Sequence, residues 1–158
     1  MDLAVVSTAG RAPLESYELH HLLDEPLYVA VPVGHPLAGH EGPVPPGRFA
    51  DADRISGGPR PEGTHLDAAV RQGFSPRVAH VVGEWTAKQG YVAAGLGITL
   101  VPALAAASVR PDLALLGVLD EGAPARAAYA ATLRGRSLTP AASAFLDAVR
   151  EATAKIPA

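Results

Sequence analysis

One stretch, residues 84–102 with the sequence EWTAKQGYVAAGLGITLVP, constrains the fold more than any other part of the chain. Residues 86–94 are good helix formers, Gly95 is a natural left-handed helix stop, and residues 98–101 are a short apolar run. The order predicts a helix, a tight glycine turn and a buried strand that ends in proline.

This order decides how the paired glycines are interpreted. A dinucleotide-binding glycine loop follows a strand and opens a helix, so that phosphate meets free N–H groups at the helix N-terminus. Gly95 and Gly97 instead follow a helix, where the dipole end is negative and no free N–H row exists. A phosphate cradle is therefore disfavoured, and the sequence indicates no cofactor.

Composition limits the remaining classes. A chain of 158 residues, 48% of them hydrophobic, suits one domain or two small lobes that share a core. Thirteen Lys and Arg against 16 Asp and Glu give a net charge of −3, which disfavours nucleic-acid binding by the chain itself. The absence of cysteine excludes disulfides and thiol nucleophiles. No apolar run reaches the ~18 residues of a membrane span, and no signal peptide is visible. We therefore expect a cytoplasmic protein with no membrane partner.

The chain opens directly on a strand, because residues 3–6 are apolar and nothing polar or cap-like precedes them. A core strand of this kind is usually flanked by strands from other segments. Two explanations remain open at this point. Either an upstream portion is missing, or an N-terminal strand simply begins a sheet.

Strand and helix patterns alternate along the rest of the chain. Strands are predicted at 27–33, 54–56, 78–82, 98–101, 113–119 and 127–133. Helices are predicted to open at Thr64, with Gly73 ending that one, and at Trp85, with a short helix at 103–108. Thr139 and Pro140 predict the start of a last helix. Its predicted buried stripe is Phe145, Leu146, Val149, Ala152 and Ile156. Alternation of this kind predicts an α/β fold with a mostly parallel sheet.

No set of residues predicts catalysis. Ser56 lacks the sequence context of a nucleophile elbow, and Asp51 and Asp53 lie in what reads as a solvated turn. Several histidines are conceivable metal ligands, but we expect them on separate loops without helical ligand spacing, so that solvated or capping roles are more frequent. They are His20, His21, His35 and His40. We therefore expect neither an enzyme nor a metal site.

Four segments, in order, resemble one family. Residues 2–6 (DLAVV) resemble its DLAI strand, and residues 27–32 followed by HPLA at 35–38 resemble its next strand and signature. Glu84 with VAAGLGITLVP at 92–102 resembles its glycine block, and residues 133–134 and 140–145 resemble its last strand and helix. The chain thus resembles the effector-binding domain of LysR-type transcriptional regulators, whose fold is similar to type 2 periplasmic binding proteins.

The resemblance implies a two-lobed α/β fold with lobe II complete and lobe I partial. It places residues 20–125 in lobe II and residues 1–15 and 127–158 in the C-terminal half of lobe I. Crossovers between the lobes are expected at 7–18 and 122–127. The family's DNA-binding winged helix-turn-helix, its linker helix and the first half of lobe I are absent from this sequence, which would explain the abrupt start.

The resemblance also implies an effector cleft lined by strand ends, helix N-termini and loops. The implied effector-binding residues are Ser7, Thr8, Pro61, Glu62, Gly63, Thr64, Trp85 and Thr86. Three of these residues have a plainer interpretation. Thr64 and Thr86 are equally explained as ordinary helix N-caps, and Trp85, the single tryptophan, is equally explained as a core anchor. Glu62 argues against a simple carboxylate effector unless Arg60 offsets its charge.

Two functions of different classes therefore stand. The first is a regulatory domain that senses a small-molecule effector, such as an organic acid, and shifts the conformation of a DNA-bound oligomer. DNA would be bound only through the missing N-terminal domain. The second is a free-standing solute-binding or interaction module without a DNA partner, and a non-functional remnant is a third. An exposed sheet edge also predicts self-association through the lobe surfaces.

Overall fold

The structure is a computed structural model, and it describes residues 2–8, 15–59, 73, 75–119 and 126–156. The chain divides into two units, Met1–Glu25 with Arg126–Ala158, and Pro26–Ala125. The strands within the described ranges are β1 (Leu3–Thr8), β2 (Tyr17–Glu25), β3 (Leu27–Pro32), β4 (Arg54–Ser56), β5 (Val78–Val81), β6 (Thr99–Pro102), β7 (Leu113–Gly117) and β8 (Arg126–Leu133). The helices described there are α1 (Trp85–Ala93) and α2 (Pro140–Thr153), with 3₁₀ turns at Pro46–Phe49 and Ala103–Ser108.

The first unit is a three-stranded antiparallel sheet in the order β1-β8-β2, accompanied by α2. Helix α2 begins where the sequence predicts, since Thr139 Oγ1 accepts a hydrogen bond from the Ala142 N–H at 3.3 Å and Pro140 is the first helical residue. The predicted stripe on this helix is confirmed only in part. Leu146 is buried and Val149 half-buried, whereas Phe145, Ala152 and Ile156 are exposed.

The second unit contains a three-stranded sheet in the order β6-β3-β7 and a parallel pair, β4-β5. Central strand β3 is buried on both faces. Its Val29 and Val31 pack with Val44, Phe49, Ile98 and Leu116, while Ala30 packs with Ile55, Val92, Val101 and Leu113. A strand that is apolar at consecutive positions is typical of such two-sided burial.

The prediction of a mostly parallel sheet is wrong for the described strands. Both three-stranded sheets are antiparallel, and only β4 and β5 form a parallel ladder. A parallel pair needs a long crossover between its strands, and β4 and β5 are separated by residues 57–77 in the sequence. The strands on either side of β3 and of β8 instead run antiparallel to them. Alternation along the sequence fixes the type of each element but not its direction.

Strand β2 is absent from the sequence prediction, which placed His20 and His21 on loops. A β-bulge between His21 and Leu23 interrupts the ladder with β8. The bulge breaks the period-two alternation that identifies a strand, so the pattern Tyr-Glu-Leu-His-His-Leu-Leu is not read as one.

The pairing of β2 also bears on the predicted boundary between the two lobes. The sequence places residues 20–25 with lobe II and the first crossover at 7–18, whereas β2 pairs with β8 and the second unit begins at Pro26. That unit ends at Ala125, inside the expected second crossover. The identification of the two units with a partial lobe I and a complete lobe II stays a prediction. The helix expected to open at Thr64 lies outside the described residues.

Candidate functional site

Helix α1 ends in a left-handed glycine turn, as the sequence predicts. Gly95 has a φ of 74°. Its N–H donates to the Val92 carbonyl at 2.9 Å, and the Leu96 N–H donates to the Tyr91 carbonyl at 3.1 Å. This pair of bonds is a Schellman motif, which satisfies the last carbonyls of the helix. The chain therefore reverses within two residues and returns to the sheet.

Gly97 brings this return against β4. Its φ is 152°, and a Cβ at this position would lie 2.7 Å from the Asp53 carbonyl oxygen. The close approach lets the Ile98 N–H donate to Asp53 O and the Ile55 N–H donate to Ile98 O, both at 2.9 Å. Thr99 Oγ1 adds a bond to the Ile55 carbonyl at 2.7 Å. The glycine turn thus fixes the position of β4, whose carboxyl end borders the candidate site.

The candidate site lies at the carboxyl edge of the parallel pair. There the Val82 N–H donates to the Ser56 carbonyl at 2.8 Å, so the segments that leave β4 and β5 run side by side. Helix α1 begins at Trp85, a short turn after β5 ends at Val81. Ligands in open α/β sheets bind outside the carboxyl ends of the strands, so this edge is where a ligand is expected.

The start of α1 carries no side-chain cap. Glu84 is the N-cap residue, and its side chain makes no capping hydrogen bond. Thr86 is exposed within the first turn, so the interpretation of Thr86 as a plain N-cap is wrong. The N–H groups of a first turn have no partner inside their own helix. This helix start therefore presents hydrogen-bond donors together with the Thr86 hydroxyl.

Trp85 combines a packing role with an unused donor. Its ring is half-buried against the cluster that contains Ile55 and Val92, so the core-anchor interpretation is confirmed. Its Nε1 is buried, yet it has no acceptor among the described residues. A buried donor without an acceptor costs about 1–3 kcal/mol, so an acceptor placed at Nε1 would be stabilising.

Lys88 lies three residues after Trp85, which places both side chains on the same side of α1. Burial lowers the pKa of the Lys88 amine. Its Nζ lies 3.5 Å from the point that a Cβ on Gly57 would occupy, immediately after β4. No carboxylate among the described residues forms an ion pair with it. Sequence reasoning missed Lys88, although its spacing from Trp85 was available.

Arg54 shows how the same unit satisfies another buried cation. Its guanidinium donates to the carbonyls of Phe49 at 2.5 Å and Ala52 at 2.7 Å. Burial lowers the pKa of Arg54 to about 10, while neighbouring Asp53 acts in the opposite direction. Arg54 therefore stays charged at neutral pH with its bonds made, and we assign it a structural role.

The lowered pKa of Lys88 has a measurable consequence. We expect the Lys88 amine to titrate below the ordinary lysine value of 10.5 in the folded chain. The unfolded chain then binds more protons between the folded pKa and 10.5, so the free energy of unfolding rises with pH across that window. The pKa is measurable by NMR of ¹³C-dimethylated lysine, because the chain has only two lysines and Lys155→Arg assigns the signals. Titration of Lys88 at or above 10.5 would contradict the burial.

Ser7 and Thr8 lie at the end of β1, in the first unit. The exposed Ser7 Oγ accepts a hydrogen bond from Arg126 Nη2 at 2.8 Å. Arg126 Nη1 pairs in turn with the buried Glu25 carboxylate, 2.9 Å away. A hydroxyl that accepts a hydrogen bond can also donate one, so Ser7 keeps a donor as well. Thr8 pairs with Ala127 through the backbone ladder.

The structure therefore brings together only part of the predicted site. Trp85 and Thr86 are adjacent in the second unit, and Ser7 and Thr8 in the first. The loop residues lie outside the described residues, and so does Arg60. They are Pro61, Glu62, Gly63 and Thr64.

The histidines do not form a metal centre within the described ranges, where no group of three or more His, Asp or Glu side chains is close enough to bind an ion. His20 Nε2 lies 3.1 Å from Thr132 Oγ1, and its Nδ1 lies 3.1 Å from Arg150 Nη2. His21 pairs with Asp24 at 3.0 Å. Among the described helices, none is long and apolar enough to cross a membrane.

Curated relatives of the chain are transcriptional regulators. The HTH-type transcriptional regulator CatR of Pseudomonas putida is 30% identical over 120 residues, which cover 72% of this chain and 41% of that protein. The HTH-type transcriptional regulator TfdS of Cupriavidus pinatubonensis (strain JMP 134 / LMG 1197) is 41% identical over 80 residues, or 51% of this chain and 26% of that protein. The chain therefore spans well under half the length of either relative.

A solved structure of similar fold is the regulatory domain of Synechocystis PCC6803 CcmR in complex with 2-PG. The TM-score is 0.76 at 29% identity, with 99% of this chain and 76% of that chain covered. The predicted type 2 periplasmic-binding-protein-like fold is confirmed. The LysR substrate binding domain family matches residues 1–154. The chain belongs to this family, which is one of effector-binding domains and not of enzymes.

Proposed function

We propose that the chain is the effector-sensing part of a LysR-type transcriptional regulator, and that it binds a small organic molecule at the edge formed by the ends of β4 and β5. The observation that carries this proposal is the set of donors there that lack acceptors within the described ranges. They are the first-turn N–H groups of α1, Trp85 Nε1 and Lys88 Nζ. The 2-PG complex of CcmR supports binding of a small molecule by this fold.

The remaining parts of the proposal concern the whole regulator. Pro61, Glu62, Gly63 and Thr64 would complete the site from the segment after β4, and Ser7 and Thr8 remain proposed effector contacts of the first unit. DNA would be bound by a separate domain, since this chain carries a net charge of −3. Such a regulator works in the cytoplasm and associates with copies of itself. The HTH-type relatives favour this function over a free-standing solute-binding module.

A thermal-shift screen tests the proposal. We expect one or more aromatic or aliphatic carboxylic acids to raise the melting temperature, because a ligand at 100 times its Kd stabilises the folded state by about 2.7 kcal/mol. For a chain of this size that corresponds to roughly 5–10 °C. Trp85→Phe keeps an aromatic ring but removes the Nε1 donor, so it should reduce the ligand-induced shift.

The matched control is Tyr91→Phe, which removes a polar group from the same helix at a position one and a half turns later. It should leave the ligand-induced shift unchanged. A screen in which no acid stabilises the wild-type chain at millimolar concentration would refute the proposed function. A shift that survives Trp85→Phe unchanged would instead remove Trp85 Nε1 from the site.

A further inference from the structure

The Lys88 ammonium is a half-buried cation without a counter-charge in the part of the chain that the structure describes. Its backbone N–H donates to Glu84 O, but the exposed Glu84 carboxylate forms no ion pair with it. The other lysine, Lys155, is exposed and pairs with Glu151 at 2.8 Å. Burying a charge is unfavourable unless it is paired, so the position of Lys88 calls for an anion.

The surroundings of Lys88 favour an anion from solution. The amine lies beside Gly57, at the carboxyl end of β4, with its Nζ 3.5 Å from the point that a Cβ on this residue would occupy. One helical turn earlier, Trp85 Nε1 is a second donor without an acceptor within the described ranges. Both side chains lie on one side of α1, at the carboxyl edge of β4 and β5.

We propose that Lys88 is the charge-binding residue of an anion subsite that takes the carboxylate or phosphate group of the effector. The inference rests on the proposed function and adds the chemical class of the ligand. A carboxylate and a phosphate present the same chemistry to an ammonium group, namely an oxyanion that accepts charge-assisted hydrogen bonds. The positive charge of Lys88 would also favour an acidic effector, against which the negative charge of Glu62 argues.

Trp85 supplies a direct readout, because it is the only tryptophan and gives a single indole N–H signal. The experiment titrates the ¹⁵N-labelled 158-residue chain with benzoate, with inorganic phosphate and with benzamide, the uncharged match for benzoate. We expect the indole signal to shift saturably with at least one of the two anions. Benzamide should bind about tenfold or more weakly than benzoate if benzoate is the anion bound.

Substitutions of the two lysines test whether the charge of Lys88 binds the anion. Lys88→Gln should weaken anion binding about tenfold or more, whereas Lys88→Arg, which keeps the charge, should change it by less than about threefold. Lys155→Gln removes the same charge elsewhere and should have no effect. Because Lys88 is only half-buried, the melting temperature of each variant without ligand serves as the folding control.

Each outcome is decisive. Equal anion binding by wild type and Lys88→Gln overturns the subsite, as does equal weakening by Lys155→Gln, and both leave the proposed function intact. An indole signal that responds to neither anion also overturns it, while the thermal-shift screen decides the proposed function separately. If Lys88→Gln changes stability but not binding, the amine pairs with a group of the chain itself and the inference is wrong.

Discussion

Gly97→Ala lowers the free energy of unfolding of the second unit by about 3 kcal/mol, the expected sum of backbone strain and overpacking. The new Cβ would lie 2.7 Å from the Asp53 carbonyl oxygen, a distance that only movement of the backbone relieves. The φ of 152° is unfavourable for any residue with a side chain. Movement of Asp53 also breaks the hydrogen bond from the Ile98 N–H to Asp53 O.

Gly90→Ala is the matched control. Gly90 lies inside α1, where an added Cβ meets no atom within 4 Å. The same substitution there should raise the free energy of unfolding by up to about 1 kcal/mol, because alanine is the better helix former. Urea denaturation followed by Trp85 fluorescence places the probe in the second unit, which holds the single tryptophan. Equal effects of the two substitutions would show that Gly97 is not held against β4.

Arg126→Gln lowers the stability of the first unit by about 1.5–3 kcal/mol, because it removes one charged partner of the buried Glu25 carboxylate. Glu25 is 4% exposed, and its Oε1 lies 2.9 Å from Arg126 Nη1. Hydrogen exchange of the β8 amides measures the loss within this unit. The exposed pair of Lys155 with Glu151 is the comparison, and Lys155→Gln should cost less than about 1 kcal/mol.

A double substitution separates the ion pair from the packing of the side chains. Glu25→Gln with Arg126→Gln removes both charges of the pair, so the double variant should be less destabilised than the sum of the single variants by more than about 1 kcal/mol. Additive single effects would contradict a direct interaction between the two charges.

Sequence patterns located most elements because their signals are local. The Thr139-Pro140 start of α2 and the left-handed stop at Gly95 depend on a few adjacent residues, and both are confirmed. The paired glycines were also assigned the correct polarity. The close approach of Gly97 to Asp53 was not foreseeable, because it joins residues far apart in sequence.

Other features depend on tertiary structure and were missed. The bulge in β2 interrupts the alternating pattern by which its nine residues would have been predicted as a strand. The alternation of strands and helices also does not determine whether paired strands are parallel or antiparallel. Phe145 and Ile156 follow helical spacing but are exposed. A periodic pattern predicts an apolar face but does not show which element packs against it. In the candidate site, Trp85 was identified from its place at a helix start. Lys88 was missed, because its lack of a counter-charge among the described residues is visible only when its neighbours are known.

The ion pair between Glu25 and Arg126 joins the last residue of β2 to the first residue of β8. These are the positions at which the chain leaves the first unit and returns to it. Ser7, a proposed ligand contact, is hydrogen-bonded to the same guanidinium. A ligand that binds Ser7 would therefore join the hydrogen-bonded group that Ser7, Arg126 and Glu25 form. By reciprocity, if such a ligand changes the strength of the Arg126–Glu25 pair, a substitution of Arg126 changes the affinity of the ligand, even without touching it.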